Sequence, residues 1–94
     1  MQRQTDPHLE KLSALRALTG HTSTVMSIAI SSDRQWLFSG SDDCTIKVWD
    51  LSTGQAVSTL AGHNGPVYSI VISADRKTLV SGSYDGTIWV WRIE

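Results

Sequence analysis

Ser39-Gly40-Ser41-Asp42-Asp43-Cys44-Thr45-Ile46-Lys47-Val48-Trp49-Asp50 has a counterpart 42 residues further along the chain, Ser81-Gly82-Ser83-Tyr84-Asp85-Gly86-Thr87-Ile88-Trp89-Val90-Trp91-Arg92. Working outward, Gly20-His21 recurs as Gly62-His63 at the same spacing. Ser31-Ser32-Asp33-Arg34 answers Ser73-Ala74-Asp75-Arg76. Self-similarity at a period of roughly 20–50 residues marks a repeat architecture, in which one unit cannot bury its apolar faces alone. What lies beside each unit is therefore the first question.

Val25-Met26-Ser27-Ile28-Ala29-Ile30 alternates, with Met26, Ile28 and Ile30 on one side and Val25, Ser27 and Ala29 on the other. Period-2 runs rich in β-branched residues predict strands. The same reading predicts an outer strand over 14–18, three inner strands over 25–31, 36–41 and 45–50, an outer strand over 56–60, and three more over 67–73, 78–83 and 87–92. Gly-Ser-x-Asp and Ser52-Thr53-Gly54 are turn signals between them. One stretch dissents: Leu9, Leu12, Leu15 and Leu18 favour a helix, with Asp6 as a cap and Pro7 at the first position. The repeat frame lays 14–18 over 56–60 and predicts a strand there, leaving room for a short helical turn over 7–12.

The 94 residues carry a formal net charge of −1, so no electrostatic argument favours nucleic acid or a membrane as partner. A single cysteine, Cys44, excludes an internal disulfide framework and a zinc spacing. No run approaches the length of a transmembrane helix. Residues 1–11 form a polar extension without the apolar core of a signal peptide. A soluble cytoplasmic protein is the expectation.

The Gly-His pair, the Ser-Gly-Ser-x-Asp turn and the Val-Trp-Asp/Arg ending resemble the repeat of the WD-repeat β-propeller family. The resemblance covers about residues 12–94; Arg92 departs from it, standing where Asp50 keeps the family's Asp. It implies an all-β fold of two four-stranded antiparallel propeller blades per chain, blade one over 25–60 and blade two over 67–92. In that family the outer strand of one blade precedes the inner strands of the next. The strand at 14–18 is then a spare, and blade two lacks its own fourth strand. Closure by oligomerisation into a complete β-propeller follows as an expectation, with eight blades favoured over six, hence a homotetrameric ring over a trimer.

The resemblance also implies two structural tetrads, His21, Ser39, Asp43 and Trp49, then His63, Ser81, Asp85 and Trp91. Chemistry supports them: a buried Trp N–H needs an acceptor, and Ser and His can link it to a carboxylate. A Ser/His/Asp set also suggests a catalytic triad, but this one occurs twice and accounts for the fold, whereas a triad needs an exposed nucleophile. No catalytic residue, cofactor or metal is expected, because Asp43 of the acidic pair 42–43 belongs to the tetrad. The family's usual binding face maps onto Thr24, Met26 and Asp42 in the first repeat and Pro66, Tyr68 and Tyr84 in the second. Trp36 and Trp89 have no Trp counterparts and read as edge packing or exposed adhesive surface. The function expected is a non-enzymatic scaffold that assembles with itself head to tail and binds proteins or peptides. The rivals are a propeller fragment, excised or engineered, whose only activity is assembly, and a sugar-binding propeller.

Overall fold

The computed structural model describes residues 10–94. Among these described residues seven strands follow one another: β1 (Val25–Ile30), β2 (Trp36–Ser41), β3 (Thr45–Asp50), β4 (Gln55–Ala61), β5 (Val67–Ile72), β6 (Thr78–Ser83) and β7 (Ile88–Arg92). They form two antiparallel sheets, β1-β2-β3-β4 and β5-β6-β7, each a simple meander.

The turns are written in short polar motifs. In Ser31-Ser32-Asp33-Arg34 the Asp33 carboxylate accepts from the Ser31 hydroxyl and from the Gln35 N–H, the latter at 3.1 Å. Arg34 takes the left-handed conformation, φ 62°, and Ser31 N–H bonds back to the Trp36 carbonyl at 2.9 Å. Ser73-Ala74-Asp75-Arg76 repeats the device, with Arg76 at φ 64°. Between β3 and β4 the Asp50 carboxylate accepts from Ser52 N–H at 2.8 Å, and Gly54 supplies the positive φ of 78° that the turn needs.

The two sheets pack face to face. Phe38 and Ile46 from the first meet Val67, Ile70 and Leu79 from the second, all buried. Gly40 lets them meet closely. A Cβ on Gly40 would stand 2.7 Å from Val67 Cγ1 and 3.0 Å from Ile70 Cδ1, so any side chain there would force the sheets apart. Ile70 N–H donates to Ser27 Oγ at 3.2 Å, and Arg76 pairs with Asp33 at 2.5 Å, joining the sheets at their polar rim. Towards the outer strands the sheets part around a cavity of about 420 Å³, lined by Trp36, Phe38 and Leu60 on one side and Trp91 and Ile93 on the other.

The strand boundaries match the sequence reading within about a residue, with one departure. Residues 14–18 join no ladder among the described residues; Leu12 and Leu15 are exposed, and Arg16 lies across Gly54. A strand needs a partner edge, and this segment pairs with none of the edges of the two sheets. The second sheet has three strands among the described residues, the blade short of its fourth strand that the repeat offset implies. Val25 is 49% exposed while its counterpart Val67 is fully buried, because no described sheet stands in front of the first one. The helical turn entertained over 7–12 falls largely outside the described residues.

Candidate functional site

The tetrads assemble as hydrogen-bonded relays. Trp49 Nε1–H donates to Ser39 Oγ at 2.8 Å. The Ser39 hydroxyl donates to His21 Nε2 at 2.6 Å, and His21 Nδ1–H donates to Asp43 Oδ2 at 2.8 Å. Because Ser39 Oγ already accepts from Trp49, its own proton is assigned to His21 Nε2, and the ring proton to Nδ1 facing Asp43. The register sets this up: Leu37 lies opposite Trp49, and Ser39 two residues on shares its face of β2. The ring of His21 also meets Trp49 edge-on, with centroids 6.2 Å apart.

The second relay is looser. Trp91 Nε1–H donates to Ser81 Oγ at 2.9 Å and Ser81 to His63 Nε2 at 2.8 Å, but His63 Nδ1 stands 3.4 Å from Asp85 and 3.3 Å from Thr87 Oγ1. Asp85 is instead held by Asn64 N–H and Thr87 N–H, each at 2.8 Å, and by the Thr87 hydroxyl at 2.6 Å. Ser39 and Ser81 are both buried beneath their sheets and already engaged by an indole N–H. This arrangement ties the inner strands to the Gly-His loop; it does not present a hydroxyl to a substrate.

Burial alone would raise the Asp43 carboxyl, but bonds from the Thr45 hydroxyl, His21 and the N–H groups of Thr45 and Thr22 outweigh it and hold it well below the usual carboxylate range. For Asp85 the Thr87 hydroxyl and the Asn64 N–H lead, against burial, with the Thr87 N–H and His63 adding to them. Asp33, Asp50 and Asp75 shift the same way, each first through the serine hydroxyl of its own turn. A carboxylate with a depressed folded pKa stabilises the fold fully above its unfolded value, about 3.9, and loses that contribution as pH falls through the folded value. The thermal midpoint is therefore expected to fall steeply below about pH 4. An Asp43→Asn variant, less stable at neutral pH, is expected to show a shallower fall, and equal slopes in the two acid titrations would remove Asp43 from the explanation.

The six surface residues anticipated from the sequence fall into two matching groups. Asp42 N–H bonds to the Thr24 carbonyl at 2.9 Å, and Tyr84 N–H to the Pro66 carbonyl at 3.0 Å. Met26 and Tyr68 sit at register shifts, between Val25 and Ser27 and between Val67 and Ser69. A bulge re-aims the side chain that it carries, and both side chains are exposed. Tyr68 and Tyr84 meet edge to face, centroids 6.0 Å apart. The bulges escaped the sequence reading because an alternating run looks the same with or without one.

Trp36 packs partly buried against the core. Trp89 stacks on Trp91 at 5.3 Å, meets His63 edge-on and covers Gly62, so both tryptophans pack, although Trp89 keeps one side in solvent. More telling are two uncovered apolar faces. Val25, Ile28 and Ile30 lie exposed on the first sheet, and Val71, Ile88 and Val90 on the second. Among the described residues no cluster of three or more His, Cys, Asp and Glu could hold a metal ion.

The sequence matches several curated proteins over about the length of one repeat. Ribosome biogenesis protein bop1 of Danio rerio is 52% identical over 40 residues, which is 43% of this chain and 5% of that protein. The BOP1 homolog of Dictyostelium discoideum is 62% identical over 34 residues, 36% of this chain and 4% of that protein. Pre-mRNA-splicing factor PRP46 of Yarrowia lipolytica is 48% identical over 40 residues, 43% of this chain and 9% of that protein. The chain thus spans a small fraction of the length of the curated relatives it matches. The solved structure of U3-55K superposes with a TM-score of 0.80 at 29% identity, covering 82% of this chain and 25% of that one. The WD40 family, described as WD domain, G-beta repeat, matches residues 12–50 and 54–92. With two antiparallel sheets, two tetrads and two matched repeats, the chain belongs to the WD40 repeat family.

Proposed function

We propose that this chain is a non-enzymatic propeller module that assembles with itself head to tail into a ring and offers that ring to protein or peptide partners. One observation carries the reading: each of its two sheets keeps one broad apolar face uncovered. Faces of this kind mark association surfaces, and the free edge of β7 invites a further strand. A head-to-tail interface makes a ring only if the rotation closes. Two-blade chains give even blade numbers. Within the range of about 4–8 blades, eight need about 45° per blade and six about 60°, against about 51° for seven. Seven blades is the usual number in the resembled family, and eight is the smaller departure from it, so four copies are favoured over three. Relatives named for ribosome biogenesis and for splicing support protein partners over small substrates.

The partner-facing surface proposed is the group around Met26, Tyr68 and Tyr84, with Thr24, Asp42 and Pro66 beside them. Exposed Tyr and Met suit protein contacts. Peptide-display selection on the assembled protein is expected to yield binders that Tyr68→Ala weakens about tenfold or more. The thermal midpoint and the mass should stay unchanged in Tyr68→Ala and Met26→Ala. Binders indifferent to both substitutions would place recognition elsewhere on the ring.

A further inference from the structure

We propose that the two uncovered faces are the two halves of a single interface between copies, formed in the register that the chain already uses between its own sheets. We infer with it that residues 13–19 supply the fourth strand to the second sheet of the neighbouring copy. This rests on the self-assembly reading above and specifies its contacts.

The contact inside the chain provides the template. There Val67 and Ile70 of the second sheet press on Gly40 of the first, beside Ile46. Stepping back 42 residues turns Val67 and Ile70 into Val25 and Ile28, which are 49% and 63% exposed. Stepping forward turns Gly40 into Gly82, above which nothing lies within 4 Å. Ile46 and Val48 become Ile88 and Val90, 74% and 71% exposed. The knob and the socket are therefore both present, both empty, and on opposite sides of the chain. A second copy fits them by the same contact that already holds the two sheets together.

The polar rim repeats too. Arg76 pairs with Asp33 inside the chain; between copies the same pair is Arg34 with Asp75. Ser27 accepts from Ile70 N–H, and its counterpart Ser69 is exposed and ready for Ile28 N–H. The repetition is not complete. Ser32 donates to the Ala74 carbonyl, whereas Ala74 has no hydroxyl to return. Val80 stands where Phe38 does and Val71 where Ala29 does, so bulk is redistributed across the contact.

The strand follows from the ladder between β3 and β4. Ile46 faces Leu60, Lys47 faces Thr59, and Trp49 faces Ala56. The same register sets Ile88 opposite Leu18, Trp89 opposite Ala17 and Trp91 opposite Ala14 of the neighbour. The bulky Trp89, which replaces Lys47, thus meets an alanine where Lys47 meets Thr59. Leu18 takes the place of Leu60, which packs against the core. The cavity of about 420 Å³ beside Trp91 and Ile93 lies next to the edge this strand would cover.

Sedimentation equilibrium on the full chain, with circular dichroism on the same samples, tests the interface. Gly82→Ala changes a position with open space in the single chain, yet its Cβ would collide with Val25 across copies. Ile28→Asp likewise alters an exposed residue. Both variants are expected to keep the wild-type strand signal while the dissociation constant of the assembly rises about tenfold or more. Arg34→Ala should weaken assembly, and Arg34→Lys should keep most of it. If the wild-type chain assembles and Gly82→Ala and Ile28→Asp do so equally well, the interface is wrong and the self-assembly reading survives. A two-fold dimer indifferent to Gly82→Ala would show like faces meeting, and would also overturn the interface. A folded wild-type monomer at every concentration would overturn both.

Discussion

Trp49→Ala is expected to lower the stability of the folded chain by about 3–5 kcal/mol, the range for emptying a buried aromatic site. Trp49 is 3% exposed and carries two kinds of contact. Its ring packs against His21 and lies under Gly20, whose Cβ position is 3.2 Å from the indole. Its N–H anchors the relay that runs through Ser39 and His21 to Asp43. Removing it opens a cavity and leaves Ser39 without its donor. Domains hold about 5–15 kcal/mol in total, so one such loss is a large share. Trp49→Phe separates the terms. It keeps most of the ring and deletes the N–H, and about 1–2 kcal/mol is expected. Denaturant unfolding measures both, and a Trp49→Ala loss below about 1 kcal/mol would mean that the tetrad is peripheral to stability.

Removal of residues 1–18 is expected to abolish ring closure while leaving the two sheets folded. In the single chain Leu12 and Leu15 are exposed and 14–18 pairs with no other described residue, so the sheets lose little. In the proposed ring the same segment covers the edge of β7. Its loss leaves backbone groups at each junction without partners, at about 1–3 kcal/mol per buried group. The truncated chain should give the circular dichroism spectrum of strands and the mass of one copy. Retention of the full assembly and its melting temperature would show that the segment is not the closing strand.

Much of the fold was legible because the repeat prints each structural demand twice. Gly40 and Gly82, Ser39 and Ser81, and the Asp-Arg turns all recur at one spacing, so strand ends followed within about a residue. The tetrads were named through the resemblance, and their side chains lie within hydrogen-bonding distance of one another. Three things were not legible. The bulges at Met26 and Tyr68 leave no trace in an alternating pattern. The looseness of the second relay, with His63 Nδ1 3.4 Å from Asp85 and 3.3 Å from Thr87, is a matter of tenths of an ångström. Val25 and Val67 share one sequence context, yet one is exposed and the other buried, because burial depends on what stands in front of a sheet. Of the leucine pattern, the stretch 14–18 is neither helix nor paired strand.

The native mass of the untagged chain tests ring assembly most directly. Each copy is 10.3 kDa. Native mass spectrometry and sedimentation velocity, over a concentration series, are expected to find one closed species of four copies, about 41 kDa, or three copies if the wedge angle is that of six blades. A folded monomer, or an open ladder of sizes that grows with concentration, would contradict closure into a ring.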